Sequence, residues 1–174
     1  ALLNATLAMG FIHMLPVFAK DVLHVDSRGL GILAAAAGVG SLAGFASYAW
    51  LQLRLTPRNL IVGSLTVYNL ALIGLAFSDW YWVSFLAILV AGLCHGYFIT
   101  VVQVMLQVLV EDRYRGRVMS MFALVWSLMF LSGFLLNFAG EWAGPRLALA
   151  GGAAIVLAYV WLSLVRATVL KKVV

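Results

Sequence analysis

The sequence predicts an all-α membrane protein, a bundle of six transmembrane helices, and three observations predict it. Six apolar runs are each about as long as a bilayer is thick. Charged residues, only 10% of the 174, fall between those runs or at their ends. No run alternates with period two as a barrel strand does, and each is too long for one. A soluble domain carries about 25% charged residues. A chain that is 65% hydrophobic, with a mean hydropathy of +1.08, holds more apolar surface than a water-facing fold can absorb.

A hydrocarbon core of about 30 Å needs roughly 20 apolar residues in a helix. The runs over 2–19, 29–51, 59–77, 82–110, 116–139 and 146–165 meet or approach that length. The first is the shortest, and neither an initiator Met nor a basic leader with a cleavage site precedes it. The expectation is a fragment, or one half of a longer protein.

The connectors carry turn and cap chemistry: Asp26-Ser27-Arg28-Gly29, Thr56-Pro57-Arg58-Asn59, Ser78-Asp79 and Gly144-Pro145. Asp112 is the expected cap of the fifth helix. All seventeen Asp, Glu, Lys and Arg residues lie in connectors or at run ends, where a charge costs little; at bilayer depth each would cost a few kcal/mol or more.

Orientation follows from the basic residues. One side holds Arg54, Arg58, Arg113, Arg115, Arg117, Arg166, Lys171 and Lys172; the other holds Lys20, Arg28 and Arg146. The positive-inside rule places the larger group, and the C-terminus, in the cytoplasm of a plasma (inner) membrane. Trp80, Tyr81, Trp82 and Trp142 then mark the outer interface, Trp50 and Trp161 the inner one. The net charge of +5 is scattered through these short connectors, so nucleic acid is not an expected partner and the bilayer is.

The second run is dense in small residues. Ala36, Gly40 and Gly44 share one helical face, and Gly92 and Gly96 repeat the spacing in the fourth; such faces let helix backbones approach closely. That packing is either static or made to slide. In the fourth run Gly92, Gly96, Thr100, Gln103 and Gln107 form a polar stripe, which faces protein through interhelical hydrogen bonds or lines a cavity touching substrate. Thr6, Gly10 and His13 share a face of the first run, one turn before Pro16, and Trp126, Phe130, Gly133 and Asn137 share one of the fifth. Cavity candidates are therefore His13, Thr6, Thr100, Gln103, Gln107, Trp126 and Asn137. His95 lies beside the stripe and ranks lower, and Tyr68 and Asn69 lower still.

No zincin, P-loop or nucleophile-elbow motif occurs, and no pair of acids lies at membrane depth, so neither an enzyme nor a metal or cofactor is expected. Ser132-Gly133 would need a histidine from elsewhere in the chain to make an intramembrane dyad. Cys94, the sole cysteine, reads as helix filler.

The run Gln103-Val-Met-Leu-Gln107-Val-Leu-Val-Glu111-Asp112-Arg113-Tyr114-Arg115-Gly116-Arg117 resembles the helix-10 to helix-11 junction of the major facilitator superfamily, in its enterobactin-exporter-like, drug-efflux branch. Leu15-Pro16 through Lys20-Asp21 to Gly29, Gly31, Ala36, Gly38 and Gly40 is similar to its helix-7 to helix-8 region, and Glu141 to Leu149 to its helix-11 to helix-12 turn. The resemblance implies helices 7–12, the C-terminal half of a twelve-helix secondary transporter. Its implied activity is proton-coupled efflux of a small amphipathic organic molecule by alternating access, together with an N-terminal six-helix half (helices 1–6) that this chain needs in order to transport. It also implies a cytoplasmic gate formed by Glu111, Asp112, Arg113, Arg115 and Arg117 with Arg54 and Arg58; the plainer reading is headgroup anchors. One departure stands out: the loop from Leu51 to Arg58 keeps two arginines four apart and lacks the family's acid. The rival readings are a non-transporting structural or assembly subunit and an intramembrane enzyme.

Overall fold

Capping chemistry sets where the helices begin. The computed structural model describes residues 10–173, with the side chains of 115, 125–129 and 164–173 outside the described set. The helices are α1 (Phe11–Asp21), α2 (Ser27–Leu51), α3 (Pro57–Ala76), α4 (Tyr81–Leu109), α5 (Asp112–Ala143) and α6 (Pro145–Val173). Among the described residues there is no strand. Asp26 accepts from the Gly29 N–H at 2.9 Å and starts α2. Thr56 accepts from the Asn59 N–H at 3.3 Å and starts α3, with Pro57 in the first turn, where a missing N–H costs nothing. Gly144, at φ +86°, makes the turn into α6 in a conformation that an L side chain rarely adopts.

Asp112 is not the cap expected of it. It is the first residue of α5, and the capping position falls to Glu111, whose own side chain makes no cap hydrogen bond. Asp112 still places a negative charge on the positive end of the helix dipole.

Among the described residues four helical stretches, α2, α3, α4 and Pro145–Ser163 of α6, are long and apolar enough to cross a membrane. Residues 2–9 of the run over 2–19 lie outside the described set, and α1 with its N-cap Gly10 carries the remainder. The run over 116–139 lies within the 32-residue α5.

Glycines place the helices against one another. A Cβ on Gly40 or Gly92 would strike a backbone carbonyl of the facing helix, Leu89 or Ala37, and one on Gly96 would lie 2.5 Å from the Ser41 carbonyl oxygen. Backbone thus meets backbone along α2 and α4, in step from Gly40 beside Leu89 to Ser47 beside Tyr97, where the two hydroxyls lie 2.7 Å apart. The two helices therefore run parallel. So do α1 and α5, with Gly10 against Ser132 and Gly133, and Gly140 against Met14.

Helix pairing carries a repeat that the sequence does not announce. Exchanging the first three helices with the last three sends α1–α5 onto α4–α2, α3–α4 onto α6–α1, α1–α2 onto α4–α5, and α3–α6 onto itself. Among the described residues only α5–α6 lacks its counterpart. The contacts repeat too. The Gly10 N–H donates to the Ser132 hydroxyl at 3.1 Å, while the Ser41 hydroxyl donates to the Gly92 carbonyl at 3.2 Å; each glycine stands three residues before a histidine, His13 and His95.

The largest buried side chains, among them Phe18, Met14, Leu33, Leu72, Leu75, Ile88 and Val156, come from α1, α2, α3, α4 and α6 and form one core. Arg146 at the start of α6 pairs with Asp79 in the α3–α4 connector.

Candidate functional site

The close α2–α4 approach and the aromatic end of α1 leave a space between them. A cavity of about 320 Å³ is walled by Phe11 and Ile12 of α1, Ala34, Ala37, Gly38 and Ser41 of α2, Tyr68 of α3, and Ala91, Gly92 and His95 of α4. Its floor is apolar because small α2 residues at helical spacing face it. Three polar residues are among its lining: Ser41, Tyr68 and His95.

Depth follows from helix position. His95 is the central residue of α4, with fourteen residues on either side of it between Tyr81 and Leu109. Gly38 is one residue from the centre of α2, which spans Ser27–Leu51. In helices that cross a bilayer, this places the cavity near the midplane.

Ser41 donates to its own-helix Ala37 carbonyl at 2.9 Å as well as to Gly92, so its hydroxyl keeps only acceptor capacity. Tyr68 is buried and His95 half-buried, with ring centroids 6.4 Å apart, and both already hold a partner within the protein. An apolar chamber with a few polar residues in its lining suits a small amphipathic molecule, which supplies both a greasy body and a hydrogen-bonding head.

The cavity candidates His13, Thr100, Gln103, Gln107 and Asn137 are not among the lining residues. Gly92 lines the cavity and, like Gly96, meets the α2 backbone. Thr100 donates to its own-helix Gly96 carbonyl at 2.8 Å, so its one proton is spent within α4. Gln103 is half-buried; Gln107 is exposed and holds a partner. His13 is exposed, packed on Gly133 and 5.3 Å from the Phe130 ring. Asn137 donates to the Gly133 carbonyl at 2.9 Å. Thr6 and the side chain of Trp126 lie outside the described residues.

At the opposite end, Arg113 stacks on Tyr114 at 5.6 Å and Arg54 on Trp50 at 4.9 Å. Glu111, Asp112, Arg113, Arg117 and Arg58 are all exposed, Asp112 has a partner, and the side chain of Arg115 is outside the described residues. The buried Ser132 hydroxyl accepts from Gly10 and forms no bond to His13.

Sequence reasoning ranked His95 and Tyr68 low, and they line the cavity. A usable signal was present: Gly92 and His95 are three apart and share a face, opposite the Ala34, Ala37, Gly38 and Ser41 face of α2. Among the described residues no cluster of three or more His, Cys, Asp or Glu could hold a metal.

A family model described as transmembrane secretion effector, of the major facilitator type, matches residues 1–172. Neither a curated protein nor a solved structure matches the chain.

Proposed function

The chain belongs to the transmembrane secretion effector family of major facilitator transporters, and on that premise we propose that it is the C-terminal six-helix half of a proton-coupled exporter of small amphipathic organic molecules. It resides in the plasma (inner) membrane with a cytoplasmic C-terminus and pairs with an N-terminal six-helix half. Substrate binds near the bilayer midplane, and rocking of the two halves exposes it alternately to either side.

The observation that carries this reading is the midplane cavity with Ser41, Tyr68 and His95 in an otherwise apolar wall. The apolar wall holds the body of the substrate, and Tyr68 and His95 exchange their internal partners for its polar head. Gln103, Gln107, Thr100, His13, Asn137, Thr6 and Trp126 extend the path toward the other half. Glu111, Asp112, Arg113, Arg115 and Arg117, with Arg54 and Arg58, form the cytoplasmic gate. His13 is the proposed proton carrier, since no carboxylate lies at membrane depth.

The test uses the full-length transporter in inverted membrane vesicles energised by respiration, with ethidium as the amphipathic probe. Expected is energised uptake that a protonophore abolishes. Tyr68→Phe and His95→Ala should lower its kcat/KM by about two- to tenfold, the loss of one hydrogen bond. Uptake indifferent to the protonophore refutes the coupling. Uptake unchanged in both variants refutes the cavity, and no uptake above protein-free vesicles refutes efflux of this substrate class.

A further inference from the structure

We infer that the groove between α3 and α6 is a binding site for one anionic phospholipid of the cytoplasmic leaflet. Its phosphate sits on Arg58 and one acyl chain runs along Val62, Gly63 and Val67. A depression of about 410 Å³ lies there, with Arg58 and Asn59 at one end, those three residues along its length and Trp161 of α6 across it. It is separate from the midplane cavity and shares no residue with it.

Charge selects the headgroup. Arg58 stands in the first turn of α3, and among the described residues it forms no ion pair. No acidic residue lines the groove. Its neighbour Arg54 is already stacked on Trp50. The Arg58 end of the groove is also the first turn of α3, a 20-residue helix whose dipole puts positive potential at the phosphate position.

Length selects the chain. From Arg58 to Val67 is nine residues, about 13 Å of helix at 1.5 Å per residue. That is close to half of a hydrocarbon core of about 30 Å, one leaflet deep. The apolar walls begin where the headgroup ends. Trp161, 54% exposed, closes the side at the level where an indole favours the interface. A free phosphate would use Arg58 and leave those walls wet, so the commitment is to lipid.

The inference rests on the orientation that places Arg58 in the cytoplasm, and the experiment separates the two. In the full-length protein on a Cys94→Ser background, Val62→Cys is labelled with bimane. The protein is then reconstituted into phosphatidylcholine vesicles containing acyl-brominated phosphatidylglycerol or acyl-brominated phosphatidylcholine. Expected is half-maximal quenching at an about fivefold lower mole fraction of the phosphatidylglycerol, the preference one arginine near a membrane surface supplies. Arg58→Gln should abolish that preference and Arg54→Gln should retain it.

Equal quenching by the two lipids overturns the site. So does equal loss in the two arginine variants, which would mean diffuse surface charge. Relief of quenching by glycerol 3-phosphate would identify a soluble-phosphate site and also overturn it. An Arg58→Cys protein modified from outside intact cells by an impermeant maleimide would refute the orientation while leaving the lipid preference to stand or fall by itself.

Discussion

Gly96→Ala tests whether backbone contact is what joins α2 to α4. A Cβ at Gly96 would stand 2.5 Å from the Ser41 carbonyl oxygen and 3.2 Å from the Gly44 Cα, where ordinary contact begins at 3.4 Å. The obstructing atoms are helical backbone, which cannot rotate away, so the two helices must part by about 0.9 Å. A gap of that size forfeits about a quarter to a half of each dispersion contact at the crossing. Overpacking of this kind costs about 1–3 kcal/mol. Parting also stretches the Ser41–Gly92 hydrogen bond, worth about 0.6 kcal/mol in a membrane interior. Against this, alanine gains about 1 kcal/mol in helix propensity. The net loss is about 0.6–2.6 kcal/mol, or about 1–10 °C in Tm at about 2–4 °C per kcal/mol. The assay is thermal unfolding of the detergent-solubilised full-length protein, followed by near-UV circular dichroism. Gly31→Ala and Gly74→Ala, where an added Cβ meets nothing within 4 Å, serve as controls and should leave Tm unchanged or raise it. Controls that fall as far as Gly96→Ala would refute the reasoning.

Ser132→Ala should strand the buried Gly10 N–H, now bonded to the Ser132 hydroxyl at 3.1 Å, at a cost of about 1–3 kcal/mol. Denaturant or thermal unfolding reads this, and a Tm within error of wild type would show that the N–H finds another acceptor. Asp79 and Arg146 are paired but 66% and 39% exposed, so an Asp79→Asn, Arg146→Gln double-mutant cycle should give a coupling below about 1 kcal/mol. That coupling should fade in about 1 M salt, where the screening length is about 3 Å; a salt-insensitive coupling would contradict the exposed geometry. The Cys94 thiol is buried at 4% exposure, so maleimide should label it only on unfolding, and fast labelling of the native protein would place it elsewhere.

Helices and glycine contacts were legible in the sequence for a physical reason. A run such as Tyr81–Leu109 has no stable alternative in lipid, because every backbone polar group needs an internal partner. Gly40, Gly44, Gly92 and Gly96 stand where an added Cβ would meet the facing helix's backbone, and only a missing side chain permits that carbonyl contact. The cavity was not legible, since its walls come from four helices and no local pattern reports that Tyr68 of α3 meets His95 of α4. The stripe on α4 misled for a related reason. Its Gly92–Gly96 half is covered by α2, which ends at Leu51, one turn past Tyr48, which packs with Val101; further along, Gln103 is half-buried and Gln107 exposed. One helical face thus serves two purposes.

Glycine seams also decide where the bundle yields. A crossing of backbone on backbone freezes no side-chain rotamers, and its dispersion energy decays within about an ångström. Such a joint is either shut or lost, with little range between. The seams join α2 to α4 and α1 to α5; with α3 packed on α4 and α6 packed on α5, the helices form two planks. They touch most lightly where α1 meets α2 and α4 meets α5, and are laced together chiefly along α3 and α6. Shear between the planks would widen or pinch the midplane chamber, whose walls belong to both.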